Sequence, residues 1–357
     1  MSKLTIENNY FSKLNSINVD LLFQKYADIG FIYEAKRKLL NPFMSQINSN
    51  WKKLLQSNDD LMWIFTNNES TTEGFASVSA WRHTDKGMLA QHLVSDGNPF
   101  LSLRLMLDAQ LKAENAESPF EVTSSQNWFR ADNRYAFRVF SSMVNKLGPK
   151  KSGLNLFHQL KFPIDIEIER STSGEYILEE VDHIDKTFLA FVGSILGEVF
   201  IKAEDLDGQD IKLSQLRLKY EKCGLKRSRN VMKLKCSKSE KILGCFIANK
   251  APIGLNFSFL ENRCYYLINP DLSYKKKLDV ISVINQQLIH EYSDIELNYI
   301  PIVTDESTSE LLQESGATYL RKYLQSIWLK EGFREWYEHI NSFLKRIESR
   351  YPYQKVA

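Results

Sequence analysis

Cysteine is scarce in this chain, and the spacing of the few cysteines excludes two kinds of site. The 357 residues contain 4 Cys, at positions 223, 236, 245 and 264, and no Cys-x-x-Cys pair. The 6 His include no His-x-His or His-x-x-x-His arrangement. This spacing gives no support to a zinc site, so we expect no bound metal. A reduced, cytoplasmic compartment is the simpler interpretation of so few cysteines.

A charge excess of one sign and long apolar runs are also lacking. The 46 Lys and Arg nearly balance the 44 Asp and Glu, which leaves a formal net charge of +2. This balance is not the electrostatic footprint of a protein that binds DNA or RNA. The longest uncharged apolar stretch, Phe188–Gly197, has 10 residues, whereas a membrane-spanning helix needs about 20. Since residues 1–15 also lack the apolar core of a signal peptide, we expect no nucleic-acid partner and no membrane span.

The chain does contain enough apolar material for large hydrophobic cores. Apolar residues make up 43% of the sequence and aromatic residues 12%. At about 100–200 residues per domain, this length suits two domains better than one. The stretch GPKKSG at residues 148–153 is a turn-rich junction near the middle of the chain. We therefore predict an N-terminal domain over residues 1–150 and a C-terminal domain over residues 163–357.

The two halves of the sequence have the same predicted order of elements. The order is helices, three strands, a long helix, a strand, a short helix and a final strand. Asn133 and Glu306 each open the short helix of their half, and His92 and Tyr266 each lie in the strand before the long helix. The two members of the first pair are separated by nearly the same number of residues as the two members of the second pair. The pattern predicts a duplicated unit.

Three segments are similar to those of a known family. Residues 241–254 (KILGCFIANKAPIG) resemble its third strand, and residues 128–144 (WFRADNRYAFRVFSSMV) resemble the segment in which an Asn opens a helix beside the cofactor. Residues 311–328 are similar to its short helix, glycine turn and last strand. With these segments, the chain resembles a tandem Gcn5-related N-acetyltransferase. The resemblance implies an α+β fold of two tandem acetyltransferase-like domains, each a mostly antiparallel mixed sheet flanked by helices.

The resemblance also implies an activity and a cofactor. Members of this family transfer an acyl group from acetyl-CoA or another acyl-CoA to the nitrogen of an amine. A small-molecule amine is therefore the implied substrate. In the first half, the implied cofactor-binding residues are Val94, Ser95, Gly97, Asn98 and Asn133.

The first half also contains candidate catalytic residues. His83 and His92 flank a predicted hairpin turn, and the pKa of imidazole suits a general base near neutral pH. The family often protonates its leaving thiolate with a tyrosine seven residues after the helix-opening Asn. That position is occupied here by Phe140, which has no proton to give, and Tyr135 is the nearby alternative.

The phosphate-binding loop departs from the family pattern in both halves. The family has a glycine-rich loop before the long helix, where backbone N–H groups bind the pyrophosphate of coenzyme A. The first half has one glycine there and Pro99, which removes a donor, and the second half has Pro270 and no glycine. We therefore predict that acetyl-CoA binds weakly or not at all to the second half.

Different functions are compatible with these residues. The chain is either an acyl-CoA-dependent N-acyltransferase or a catalytically inactive protein of the same fold that binds a small ligand or partner as a regulator. A third alternative is acyl transfer from a carrier protein or an aminoacyl-tRNA. That alternative needs a basic docking face, which only the stretch from Lys226 to Lys238 can supply.

Overall fold

The computed structural model describes residues 12–350 apart from residues 68–73, 97, 99 and 167–174, and part of the strand pair predicted over 165–181 therefore lies outside the described residues. The strands are β1 (Ser12–Leu14), β2 (Met62–Asn67), β3 (Ala76–Arg82), β4 (Gly87–Ser95), β5 (Ser124–Arg130), β6 (Ser152–Pro163), β7 (Tyr176–Glu180), β8 (Ser228–Cys236), β9 (Ile242–Lys250), β10 (Cys264–Ile268), β11 (Tyr299–Thr304) and β12 (Thr318–Leu329). The α-helices are α1 (Val19–Asp28), α2 (Glu34–Leu40), α3 (Met44–Leu55), α4 (Leu101–Asn115), α5 (Arg134–Leu147), α6 (Lys186–Leu196), α7 (Glu198–Ala203), α8 (Ser214–Lys222), α9 (Tyr274–Glu291), α10 (Glu306–Glu314) and α11 (Phe333–Arg350). Among the described residues, none of these helices has the length and apolar character needed to cross a membrane.

The strands form one continuous sheet in the order β1-β2-β3-β4-β5-β12-β6-β11-β10-β9-β8-β7. Neighbouring strands are antiparallel except for β4–β5 and β10–β11, which are parallel. Read from either edge, the order gives four antiparallel strands, a parallel fifth strand and then a strand at the centre. The predicted fold class, two tandem and mostly antiparallel units flanked by helices, is confirmed by this strand order.

The central strand of each unit comes from the other half of the chain. β12 pairs with β5 of the first half, from Tyr323 opposite Arg130 to Leu329 opposite Ser124. In the same way β6 pairs with β11 of the second half, and β6 and β12 pair with each other at the middle of the sheet. Residues 152–163 form this long strand, although the sequence leaves them almost entirely between the two predicted domains. The division of the chain at residue 150 stays a prediction.

Alternate residues of the strands pack on opposite faces of the sheet, as strand geometry requires. Trp128 and Tyr323 belong to the core of one face, which we name face A, while Phe129 and Leu324 belong to the other, face B. The face A core runs across both units beneath α1–α3 and α6–α8. Face B has one core under α4, α5 and α11 and another under α9 and α10. Both units thus share one layer and have separate layers on the opposite side.

Short polar side chains fix where the second helix of each unit begins. Asn133 precedes α5, and its Oδ1 accepts a hydrogen bond of 3.1 Å from the backbone N–H of Ala136. Asp305 precedes α10 and accepts a 3.0 Å bond from the N–H of Thr308 in the same way. Such caps satisfy backbone donors that have no partner within the helix. The predicted helix start at Asn133 is therefore present, and α5 packs on β12 and β6, with Phe140 against Phe129 of β5.

Candidate functional site

A β-bulge in β4 bends the sheet of the first unit. Ser77 of β3 pairs with Val94 of β4, and Ser79 pairs with Gln91, so two residues of β4 lie opposite one residue of β3. One of these two, His92, has a φ of 50°, in the left-handed region that non-glycine residues seldom adopt. An extra residue of this kind bends its strand and disrupts pairing with the neighbouring strand.

Beyond the bulge, β4 and β5 separate and leave a cavity of about 500 Å³ between them. The parallel ladder joining the two strands ends at the pair formed by Ala90 and Asn127. Residues 29–31, between α1 and α2, line the cavity from face A together with residues 256–258 of the second half. Residues of α4 and α5 line it from face B. The cavity therefore crosses the sheet.

The structure brings five of the eight predicted site residues to this cavity. They are His92, Val94, Ser95, Asn133 and Tyr135. Gly97 lies outside the described residues. The other two, His83 and Asn98, do not line the cavity. The Oδ1 of Asn98 accepts a 2.9 Å hydrogen bond from the backbone N–H of Phe100, so one donor at the start of α4 is already occupied.

Three residues that line the cavity have a buried side-chain atom with no hydrogen-bond partner among the described residues. These atoms are Gln91 Nε2, His92 Nε2 and Asn127 Oδ1. Leaving such an atom unpaired costs about 1–3 kcal/mol. Each such buried group requires an explanation, for example a bound ligand or water that supplies the partner. Sequence reasoning missed Gln91 and Asn127, whose only signal is a polar residue within a largely buried strand.

The Nδ1 contact of His92 bears on which of its ring nitrogens carries the proton. Its Nδ1 lies 2.8 Å from the Oγ of Ser79, and this hydroxyl lies within 3.4 Å of the backbone carbonyl of Gln91. When the hydroxyl donates to that carbonyl, Nδ1 must donate to the hydroxyl. The lone pair then resides on Nε2, the nitrogen without a partner.

The surroundings of the His92 ring keep it neutral. The ring stacks on Trp51, with centroids 5.4 Å apart, and lies 4.2 Å from the centroid of Phe257. Burial among these rings, aided by the positive charge of Lys36, holds the pKa of His92 well below its usual range. A neutral imidazole with the lone pair on Nε2 is the form that accepts a proton.

Tyr135 and Phe140 enter the cavity from α5. Burial raises the pKa of the Tyr135 phenol, which keeps its proton at neutral pH although 40% of the residue is exposed. Phe140 lies deeper, with 3% exposure, and also lines the cavity. Of these two residues, only Tyr135 can therefore donate a proton.

The second unit differs at the corresponding point, where the parallel ladder of β10 and β11 ends at the pair formed by Tyr265 and Val303. β10 pairs with β9 in regular register from Cys264 to Ile268, without a bulge. The Oγ1 of Thr304, at the end of β11, donates a 2.6 Å hydrogen bond to the carbonyl of Tyr266 and so joins β11 to β10. Asn269 Oδ1 accepts from the N–H of Asp271, which occupies a donor of the following loop. The predicted failure of the second half to bind acetyl-CoA stays a prediction, and these contacts support it.

His83 lies in a different part of the molecule, within a polar cluster that has no exposure to solvent. Its Nε2 is in close contact with the amide of Gln126 and lies 3.8 Å from Glu204. Burial lowers the pKa of His83 to about 3, although the charge of Glu204 acts in the opposite direction. This environment separates His83 from the cavity and from solvent.

Glu204 is the centre of this cluster and connects both units. Its carboxylate accepts from Arg229 at 2.9 Å, from Arg263 at 3.0 Å and from the hydroxyl of Tyr265 at 2.9 Å, and Gln126 of β5 donates to it at 3.1 Å. Burial alone would raise the pKa of Glu204, but the neighbouring positive charges lower it to about 2. The sequence does not single out this residue.

The basic stretch from Lys226 to Lys238 does not form a continuous exposed docking face. Arg227 and Arg229 are only 3% and 4% exposed. Arg227 donates to the backbone carbonyl of His83 at 2.8 Å, and Arg229 binds Glu204. Two of the charges in this segment therefore act inside the molecule, as partners of buried groups.

Comparisons with known proteins find distant structural similarities. No family model and no curated protein matches the sequence. A tandem GNAT protein from the clavulanic acid biosynthesis pathway is 8% identical, with 79% of this chain and 88% of that chain covered and a TM-score of 0.38. A GCN5-related N-acetyltransferase from Kribbella flavida is 8% identical over 79% and 93% of the two chains, with a TM-score of 0.39. N-myristoyltransferase of Saccharomyces cerevisiae is 11% identical over 92% and 80%, with a TM-score of 0.34.

The fold of the chain follows from its own strand order. Each unit has antiparallel strands, a parallel fifth strand that diverges from the fourth in the first unit, and helices following both of those strands. The exchange of β6 and β12 joins the two units into a single sheet. The chain therefore has the tandem acetyltransferase-like fold that its sequence predicts.

Proposed function

We propose that the chain is an acyl-CoA-dependent N-acyltransferase whose first unit binds the thioester between β4 and β5. The observation that carries this proposal is the cavity at the bulge, around which Gln91, His92 and Asn127 each have an unpaired polar atom. An acyl-pantetheine arm is an extended chain with two amides. Extended ligands of this kind add to an open strand edge through backbone hydrogen bonds. Between the diverging strands, the amides would also provide partners for Gln91 Nε2 and Asn127 Oδ1, while His92 Nε2 stays free for the amine.

The groups around the cavity support a direct transfer. The amine nitrogen attacks the thioester carbonyl carbon, and the C–S bond breaks as the C–N bond forms. His92 Nε2 takes the proton lost from the amine, directly or through one water molecule. The departing thiolate takes a proton from Tyr135 or from water, which gives the amide and free coenzyme A. His83 has no part in this scheme because it does not reach the cavity.

The alternative function, a binding protein without catalysis, has its own support. Phe140 occupies the position at which the family often has its acid, and Asn98 already uses a backbone donor at the start of α4. Both features weaken catalysis or phosphate binding but leave the cavity intact. If the alternative is correct, acyl-CoA or another ligand binds and no amine is acylated.

Calorimetric titration and a thiol-release assay test the two functions together. Acetyl-CoA and longer acyl-CoAs are titrated into the full chain, and coenzyme A release is followed with a panel of amines. We expect His92→Asn to lower kcat by about 10²- to 10⁴-fold, as for the loss of a positioned base. The dissociation constant of the acyl-CoA should stay within about twofold, because the imidazole acts mainly in the transition state. Asparagine is used because it tolerates the left-handed backbone at this position.

His290→Asn is the matched control, since His290 lies exposed near the end of α9 in the second half. This variant should equal the unmodified chain in both assays. Absence of acyl-CoA binding would reject the proposed function. Binding without thiol release in the presence of every amine would favour the binding protein, and full activity of His92→Asn would reject the role of His92.

A further inference from the structure

Because the cavity crosses the sheet, it has a mouth on face A as well as on face B. Cations line the face A mouth. Lys36 of α2 and Arg130 of β5 line the cavity itself. A surface hollow of about 670 Å³ adjoins it, and Arg130, Arg321 and Lys322 line this hollow. Asp132 is the only carboxylate among its lining residues, and it pairs with Arg130 at 2.5 Å.

Strand alternation assigns this group of charges to one face. Arg130 lies two residues after Trp128, and Arg321 lies two residues before Tyr323, and both aromatic residues belong to the face A core. Side chains two positions apart on a strand point to the same face. The helix starts of α4 and α5 lie on face B. The positive charges are therefore opposite to the side on which these helices begin.

Lys36 and Arg321 have no carboxylate partner among the described residues. The ammonium of Lys36 lies over the rings of Phe31 and Tyr33, 4.0 and 5.3 Å from their centroids. Burial, together with the charges of Arg321 and Arg130, lowers the pKa of Lys36 to about 8. Like charges held together in a partly buried place repel each other, and a bound anion removes that repulsion.

We infer that the acceptor of the proposed reaction is an amine that also carries a carboxylate or a phosphate, which Lys36 and Arg321 bind at the face A mouth. This inference rests on the proposed function and adds the substrate class. His92 packs against the face A core, so the proton acceptor is on the side from which this amine enters. Planar guanidinium and ammonium donors suit either anion, and the experiment below distinguishes the two.

Matched pairs of amines test the inference with the full chain and saturating acetyl-CoA. Phenylalanine is compared with phenethylamine, and phosphoethanolamine with ethanolamine, so that each pair differs only in the anionic group. We expect kcat/KM for at least one anionic member to exceed that of its partner by about tenfold or more, the value of one charge-assisted hydrogen bond. The pair that shows the difference identifies the anion as carboxylate or phosphate.

Two variants connect the preference to the cations. Lys36→Met and Arg321→Gln should each lower kcat/KM for the preferred anionic amine by about tenfold and change that of its neutral partner by less than about twofold. Lys38→Met is the control, because Lys38 lies on the same helix, is exposed and pairs with Glu34 at 2.9 Å. It should leave both values unchanged.

The outcomes separate failure of this inference from failure of the proposed function. Equal kcat/KM within both pairs would overturn the inference, as would a Lys36→Met variant that weakens acetyl-CoA binding instead of amine use. If no amine is acylated, phenylalanine and phosphoethanolamine are titrated by calorimetry into the unmodified chain and into Lys36→Met. Binding that Lys36→Met abolishes would sustain the anion site, and no binding of either amine would overturn it. Failure of acetyl-CoA to bind would instead overturn the proposed function.

Discussion

At the scale of single residues, the same side chain has opposite roles in two environments. His92 lies in β4 and His83 directly follows β3, and both are neutral because burial lowers the pKa of each. His92 has an unpaired Nε2 beside a cavity, whereas the Nε2 of His83 is held between Gln126 and Glu204. Residue type identifies both as candidates, and only the partners of each nitrogen distinguish the proposed base from a structural residue.

The buried state of His83 predicts a particular loss of stability in acid. Its pKa is about 3 in the folded chain and about 6.5 in the unfolded chain, so acid favours unfolding as the pH falls from 6.5 toward 3. The stability that neutral His83 contributes to the folded chain is fully present above pH 6.5. Each such proton adds a slope of up to about 1.4 kcal/mol per pH unit to the free energy of unfolding. Urea unfolding of His83→Gln between pH 4 and 6.5 should show a smaller slope by about this amount, whatever its overall stability.

His290→Gln is the comparison for this measurement, because His290 is exposed. Its slope should equal that of the unmodified chain. An unchanged slope in His83→Gln would mean that His83 takes up its proton in the folded state.

Glu204 gives a second prediction at the residue scale. Substitution by Gln removes the charge that compensates Arg229 and Arg263, both fully buried. Breaking one partner of a buried ion pair is expected to cost about 3–5 kcal/mol in the free energy of unfolding. Urea denaturation measures this loss, with Glu306→Gln as the control, since the Glu306 side chain is 69% exposed. A loss below about 1 kcal/mol, the size expected for a surface pair, would contradict the prediction.

At the scale of elements, one extra residue in β4 makes the two units different. The first unit has the bulge at His92, whereas in the second unit β10 pairs regularly with β9 and the Thr304 hydroxyl bonds to the carbonyl of Tyr266. The order of the elements gives no sign of this difference. The sequence indicates it only through the loops before the long helices, where the first half has one glycine and the second half has none.

The regular pairing of β10 with β9 and the Thr304 hydrogen bond in the second unit predict one binding site per chain. Calorimetric titration with an acyl-CoA should give a stoichiometry near 1. Thr304→Val removes the hydroxyl that bonds to Tyr266 and preserves the shape of the side chain, so it should leave the stoichiometry unchanged and reduce stability by about 1 kcal/mol. Two equivalent sites, or binding abolished by substitutions at residues 269–275, would contradict the assignment of the site to the first unit.

At the scale of the whole molecule, the exchange of β6 and β12 makes each unit depend on the other half of the chain. β5 has β12 as its neighbour on the inner side, and the first core of face B contains Trp328, Phe333 and Trp336 from the end of the chain. Trp328 and Trp336 stack with centroids 5.3 Å apart. The first unit is therefore incomplete without residues that the sequence assigns to the second.

This dependence predicts the behaviour of fragments. A fragment of residues 1–150 should lack cooperative thermal unfolding, since it loses the strand beside β5 and three large core side chains. Co-expression with residues 151–357 should restore a soluble complex with a cooperative transition, measured by circular dichroism. In the intact chain, Trp336→Ala should cost about 3–5 kcal/mol, as for other fully buried tryptophans. A fragment 1–150 that unfolds cooperatively alone would support the domain division predicted from the sequence.

The sequence by itself determines the elements, the duplicated order and much of the candidate site. Apolar periodicity and helix caps depend on residues near one another, so β5, α5 and the Asn133 cap are predicted, and His92, Val94, Ser95, Asn133 and Tyr135 meet at the cavity. Contacts between distant residues have no local signal, and only the tertiary structure decides them. These contacts exchange β6 and β12, bury Arg229 and Arg263 against Glu204, and bring Lys36 beside Arg130. Burial and neighbouring charge then decide which polar side chains support the fold and which remain available to a ligand.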